Sequence, residues 1–247
     1  MTPPHRRALP SLPVRSIALT LLTLLGGSAC TQDKPHPPVS ATTAPALTNP
    51  QAELLALTRF TNYRRGAARV TADIPVQGHP ARLTGRLDWR HATGLAVLNG
   101  NGGVLEHGRH LLRWDRTTVS VRRDWTGHLP SHPPRHGWAR RALTTRASTI
   151  DTTLLLLLNL AADRPDNARL LLHSGARRLG SEELAGVPVT VFAGPSTPTP
   201  RGAAPDPARA APVPGHTRYW IDAGGRLRRF SARLGGGTEW MVATFST

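Results

Sequence analysis

The sequence predicts an α+β fold: antiparallel strands gathered into one sheet or half-barrel, with helices inserted at two places. Three observations predict it. Short stretches of alternating apolar and polar residues recur from residue 70 to the end, separated by Gly-rich turns. Helical signals break that rhythm twice, once before the first strand and once mid-chain. No internal repeat of fixed period appears.

The elements follow in order. Residues 1–29 read as a secretory signal: a basic start with Arg6, Arg7 and Arg15, an apolar core at 17–25, then Gly26, Gly27, Ser28 and Ala29. The apolar run is too short to remain as a membrane span, which needs about 20 residues. The chain's single cysteine, Cys30, follows at once. Residues 31–48 are rich in Pro, Ala and Thr and read as a disordered tether. It would reach roughly 55 Å as polyproline II or roughly 23 Å as a coil. The folded domain is expected over residues 49–247, with a flexible Pro-rich insertion at 194–215.

Asn49 and Pro50 suit a helix start and Arg64-Arg65-Gly66 a helix end, with Leu54, Leu55, Leu57 and Phe60 on the apolar face. Strands are expected at 70–76 and 81–89, the second being the clearest period-two segment of the chain. Residues 94–98 and 104–105 flank a turn at 99–103, and 110–114 pairs with 118–121. A loop occupies 127–137. Ser148 and Asp151 stand in capping-box spacing before a helix with five consecutive leucines, Leu154 to Leu158. Such a helix is apolar all round: it is buried on every side, or it lies against something apolar that is not protein. A short helix at 168–173, a hairpin at 177–184 and 187–193, and a meander at 216–222, 226–234 and 238–246 complete the chain.

A small residue followed by Cys30 resembles the lipobox of bacterial lipoproteins. That resemblance implies a cleaved signal peptide, a diacylglycerol thioether on Cys30 and an amide-linked acyl chain such as palmitate. An ordinary signal peptide leaving a free thiol is the alternative, and Arg6-Arg7 leaves the export route open between Sec and twin-arginine. The segments RYWIDAGGRLRRF (218–230), EELAGVPVTVF (182–192) and LTGRLDW (83–89) resemble the actinobacterial LppX/LprAFG lipoproteins and, more broadly, the LolA-like superfamily of lipoprotein and lipid carriers. The resemblance spans nearly all of the mature chain. It implies a curved antiparallel half-barrel with helices packed on the concave side and an apolar cavity between them for acyl chains. Leu83, Leu87, Val119, Val121, Leu154, Leu155, Leu157 and Leu158 would line that cavity. The ligand would be a lipid or lipoglycan, and the location the extracytoplasmic face of the cell membrane, held there by the lipid anchor. The insertion at 194–215 and the few Phe and Tyr residues depart from the pattern and put the particular ligand in doubt.

Formal charge is +16 over the whole chain and +13 without the signal arginines; only Lys34 is lysine, and every other basic residue is arginine. Codon bias in a GC-rich genome accounts for that, or attraction to an anionic envelope surface does. Nucleic acid is not an expected partner outside the cytoplasm, and no oligomeric state is assigned. No Gly-x-Ser-x-Gly elbow is present. The Gly-rich 99–103 segment joins strands rather than opening a helix, so it is a turn and not a phosphate loop. His128, His132 and His136 recur every four residues, but Pro130, Pro133 and Pro134 break the helix that would align them on a metal. Glu182 and Glu183 point to opposite faces of a strand, and Asp222 suits turn chemistry. No catalytic constellation, cofactor or metal is expected. The two functional readings are a lipid-binding or lipid-carrying lipoprotein and a non-enzymatic interaction or sensor module contacting a protein partner or an acidic wall polymer. A filled core with a one-sided arginine patch would favour the second.

Overall fold

The computed structural model describes residues 44–76, 79–100, 108–196, 215–234 and 237–246. Helix α1 (Asn49–Arg65) leads into β1 (Ala67–Val76), β2 (His79–Asp88), β3 (Thr93–Gly100), β4 (Gly108–Trp114), β5 (Thr118–Arg122) and β6 (Ala139–Ala142). Helices α2 (Thr149–Asn159) and α3 (Ala168–Leu172) follow, then β7 (Arg177–Leu184), β8 (Val187–Ala193), β9 (Thr217–Asp222), β10 (Leu227–Arg233) and β11 (Trp240–Ser246). The expected turn residues 101–103, strand residues 104–105, Cys30 and most of the 194–215 insertion lie outside the described residues.

All eleven strands form one antiparallel sheet in the order β6-β5-β4-β3-β2-β1-β11-β10-β9-β8-β7. The expected union of the two ends of the chain is the β1–β11 pair, where Ala72 faces Ala243 and Val70 faces Phe245. The α+β expectation holds, and so does the curvature. Laid flat, the nine strands from β5 to β8 would spread about 38 Å. Yet Val119 of β5 and Phe192 of β8 belong to one buried apolar cluster, with α2 contributing Leu154, Leu157 and Leu158. The open sheet curves as a half-barrel, and these side chains belong to one continuous core under it.

Two local features differ from expectation. Thr48, not Asn49, is the N-cap of α1, and its N–H donates to Gln51 Oε1 at 3.0 Å. Strand β6 reads Ala-Arg-Arg-Ala, with all four residues exposed, so it has no apolar alternation to announce it. It forms only because β5 offers an unpaired edge.

Candidate anion-binding groove on the outer face

The strands alternate, so the sheet has an inner face under the helices and an outer face away from them. The inner face carries the residues singled out as lipid contacts. Leu83, Leu154 and Leu157 are fully buried, Leu87, Val119 and Leu158 are 1% exposed, and Val121 and Leu155 are half-buried against the same cluster. They pack on one another and on Trp89, Trp114, Phe230 and Met241.

Helix α2 is fastened there through its backbone. In its last turn Leu156 O accepts Leu160 N, and the remaining carbonyls take donors from other elements. Trp89 Nε1 donates to Leu157 O at 3.0 Å, Arg59 Nε to Asn159 O at 2.9 Å, and Asn62 Nδ2 to Leu160 O at 2.8 Å. Trp114 Nε1 donates to Leu154 O at 3.1 Å. At the other end the Ser148 hydroxyl caps Asp151 N at 3.0 Å, and the fully buried Asp151 carboxylate takes two bonds from Arg141, at 2.6 and 2.7 Å. That carboxylate raises the Arg141 pKa, chiefly by accepting its hydrogen bonds. Trp114 lies flat over Gly94, whose missing Cβ makes room for the ring.

Two cavities lie elsewhere. One, of about 650 Å³, opens at the end of the inner layer, between Arg59, Tyr63 and Trp89 and the Asp115–Thr117 turn. The other, of about 1000 Å³, is a groove on the outer face. Of the eight expected lipid contacts, only Leu87 borders either cavity.

Strand register builds the outer groove. Arg69 on β1 faces Arg86 on β2, Arg86 faces Leu95 on β3, Leu95 faces Arg113 on β4, Arg113 faces Ser120 on β5, and Ser120 faces Arg140 on β6. Four arginines therefore stand in one row across six strands, over about 24 Å at the usual strand spacing. All four line the groove. The 123–138 loop forms its wall: Leu95, Val97 and Leu111 pack beneath Trp125, Leu129 and Trp138. Arg86 fastens that loop by donating to Pro130 O at 2.7 Å and to Ser131 O. Arg113 stacks on Trp138, 5.5 Å from the ring centroid.

Among the described residues none of the four arginines pairs with a carboxylate. The two aspartates on the groove wall are occupied. Asp88 accepts from His91 Nδ1 at 2.7 Å and from His91 N at 3.1 Å. Desolvation pushes its pKa up, and the His91 bonds outweigh that and bring it below the usual carboxylate range. Asp115 accepts the Thr117 and Thr118 amides, each at 2.8 Å, and both hydroxyls. These bonds, the Thr117 amide foremost, hold its pKa far below that range. The groove is thus a positive trough with apolar walls from Leu95, Leu129 and Pro133.

The other candidate groups have structural duties. Asp222 Oδ1 accepts the Gly224 and Arg226 amides, each at 3.0 Å, which is the expected turn chemistry. Glu182 accepts Trp220 Nε1 at 2.8 Å. His128, His132 and His136 are exposed in the 123–138 loop. Among the described residues no three His, Cys, Asp or Glu side chains converge on a metal position, and no helix is long and apolar enough to cross a membrane.

Neither a family model nor a curated protein matches the chain. Solved structures do. LprF from Mycobacterium bovis is 12% identical, with a TM-score of 0.40 over 82% of this chain and 94% of that one. A DUF1329 family protein from Desulfovibrio piger is 11% identical, with a TM-score of 0.25 over 79% and 90%. A domain described as an outer membrane lipoprotein-sorting protein from Vibrio parahaemolyticus is 9% identical, with a TM-score of 0.23 over 78% and 90%. LprF and the sorting domain bear the names of the two groups that the sequence resembles. At these scores the likenesses carry no further weight, and function rests on the chain's own geometry.

Proposed function

We propose that the chain is an extracytoplasmic lipoprotein, held at the cell membrane through acylated Cys30, whose domain at 49–247 binds an acidic lipid or lipoglycan without chemical turnover. The ligand sits headgroup-first in the outer groove. The observation behind this is the contrast between cavities: the inner layer is filled by α2, while the outer groove is open, about 1000 Å³, and lined by four arginines free of carboxylate partners. A volume of that order suits a small amphiphile. Planar guanidinium groups suit phosphate or carboxylate oxygens, and the apolar walls take the adjoining hydrocarbon.

A second reading keeps acyl chains on the inner side, as in the carrier group that the sequence resembles. The 650 Å³ opening beside Tyr63 and Trp89 supports it. Deeper entry would displace α2 and strand its buried carbonyls, at about 1–3 kcal/mol for each group left unpaired.

Mass spectrometry of molecules extracted from the purified full chain separates the two. Arg69→Gln with Arg140→Gln should lose the copurified acidic amphiphile, and Leu155→Trp should keep it. The reverse pattern would place the ligand on the inner side. Cys30→Ala should move the protein out of the membrane fraction, and retention there would overturn the anchor.

A further inference from the structure

The other half of the outer face repeats the arginine chemistry without a groove. On β9 and β10, Arg218 and Arg233 both stack on the Trp240 ring of β11, at 4.4 and 4.7 Å from its centroid. Arg229 stacks on Trp220 at 5.7 Å. The Nε atoms of all three arginines are buried and without a partner. Their terminal nitrogens have no hydrogen bond and are not buried, so they meet solvent. No carboxylate pairs with any of the three; the neighbouring Glu182 is taken by Trp220. An arginine held over an indole with its Nε buried has a restricted head, so less freedom is lost when an anion binds it.

This surface is continuous with the groove. Arg69, the last arginine of the row, faces Ser246 of β11. One residue pair further along the same face, Thr71 faces Thr244, which in turn faces Arg229. The strands between carry Thr71, Thr244, Ser246 and Val242 outward, and the one acid among these positions, Asp73, faces Val242. Asp73, the nearest acid on β1, pairs with Arg82 at 3.4 Å.

We infer that the outer face is a track for one linear polyanion, a polymer with phosphate or carboxylate groups at regular spacing, running from the groove across β1 and β11 to the Trp240 stack. This rests on the groove being the binding site and specifies its ligand as the charged end of a longer chain. Charge complementarity argues for a polymer over a single headgroup: seven arginines spread over nine strands, about 38 Å, exceed what one headgroup can touch.

The test uses inorganic tripolyphosphate and long-chain polyphosphate as probes, with affinities measured on the full chain at several salt concentrations. Arg218→Gln with Arg233→Gln should weaken long-chain binding about tenfold, flatten its salt dependence and leave tripolyphosphate binding unchanged. Arg229→Gln, which leaves the Trp240 stack whole, should act in the same direction. Arg69→Gln with Arg140→Gln should weaken both probes. If the β9–β10 variants alter neither probe, or weaken both equally, the track is wrong while the groove stands. If they weaken binding to vesicles containing anionic phospholipid and not to polyphosphate, the surface serves a membrane and the track is also wrong. If the groove variants change nothing, the reading beneath the track fails first.

Discussion

The two faces of this sheet are built from the same strands and have opposite economies. On the inner face, side chains at alternate positions interlock with α2, and the indoles of Trp89 and Trp114 serve both as filling and as donors to helix carbonyls. On the outer face, the positions between them carry the four groove arginines, which touch an indole, loop carbonyls and solvent, while Arg82 alone of the β2 arginines pairs with an acid, Asp73. The inner face serves stability. The groove arginines are left without a carboxylate partner among the described residues, which an isolated fold would not require. Uncompensated charge on a fixed frame is what recognition of an anion needs.

The largest effect that would test this contrast is on the inner face. Trp114→Ala removes the ring over Gly94 and the donor to Leu154 O. It should cost about 3–5 kcal/mol in a urea melt and lower the midpoint by roughly 10 °C. A cost below about 1 kcal/mol would mean that the inner layer is not solid. Next is Asp151→Ala, which deprives Arg141 and the α2 cap of a buried acceptor. About 2 kcal/mol is expected by the same measurement, given that Arg141 is half-exposed. Third, Arg69→Gln with Arg140→Gln should leave stability within about 0.5 kcal/mol while cutting tripolyphosphate affinity about tenfold. A large loss of stability would make these arginines structural and erase the contrast between the faces. The smallest effect concerns acid. The Asp115 carboxylate titrates well below its unfolded value, so its contribution is complete above about pH 4 and fades as pH falls further. Asp115→Asn should therefore narrow the stability difference between pH 6 and pH 3, and an unchanged pH profile would show that its hydrogen bonds contribute nothing.

Much of the inner face was legible in the sequence. The alternation from Ala81 to Trp89 placed Leu83 and Leu87 on one side of a strand, and five consecutive leucines announced an apolar helix, of which Leu154, Leu157 and Leu158 are buried and Leu155 and Leu156 half-buried. Whether that helix faced protein or an acyl chain could not be read, because the indole donors to its carbonyls lie 40 and 68 residues away along the chain. The groove was hidden for a related reason. Arg69, Arg86, Arg113 and Arg140 look scattered along the chain, and only the register of five strand pairings lines them up. One of those pairings involves β6, which has no sequence signature. The Thr48 cap was missed because Asn49 is itself a good capping residue and only the backbone decides between neighbours.

An open sheet has two bare rims, and a bare rim invites another chain to add a strand. Here one rim is β6, four residues long, with Arg140 and Arg141 at its centre. The other is β7, bridged at Arg177 by Ala46; its open stretch carries Arg178, Glu182 and Glu183 and breaks register between Arg178 and Gly180. Brevity and like charge guard the first rim; charge and a kink guard the second. Copies of this chain brought side by side are thereby kept from zipping into sheets that run from one copy to another.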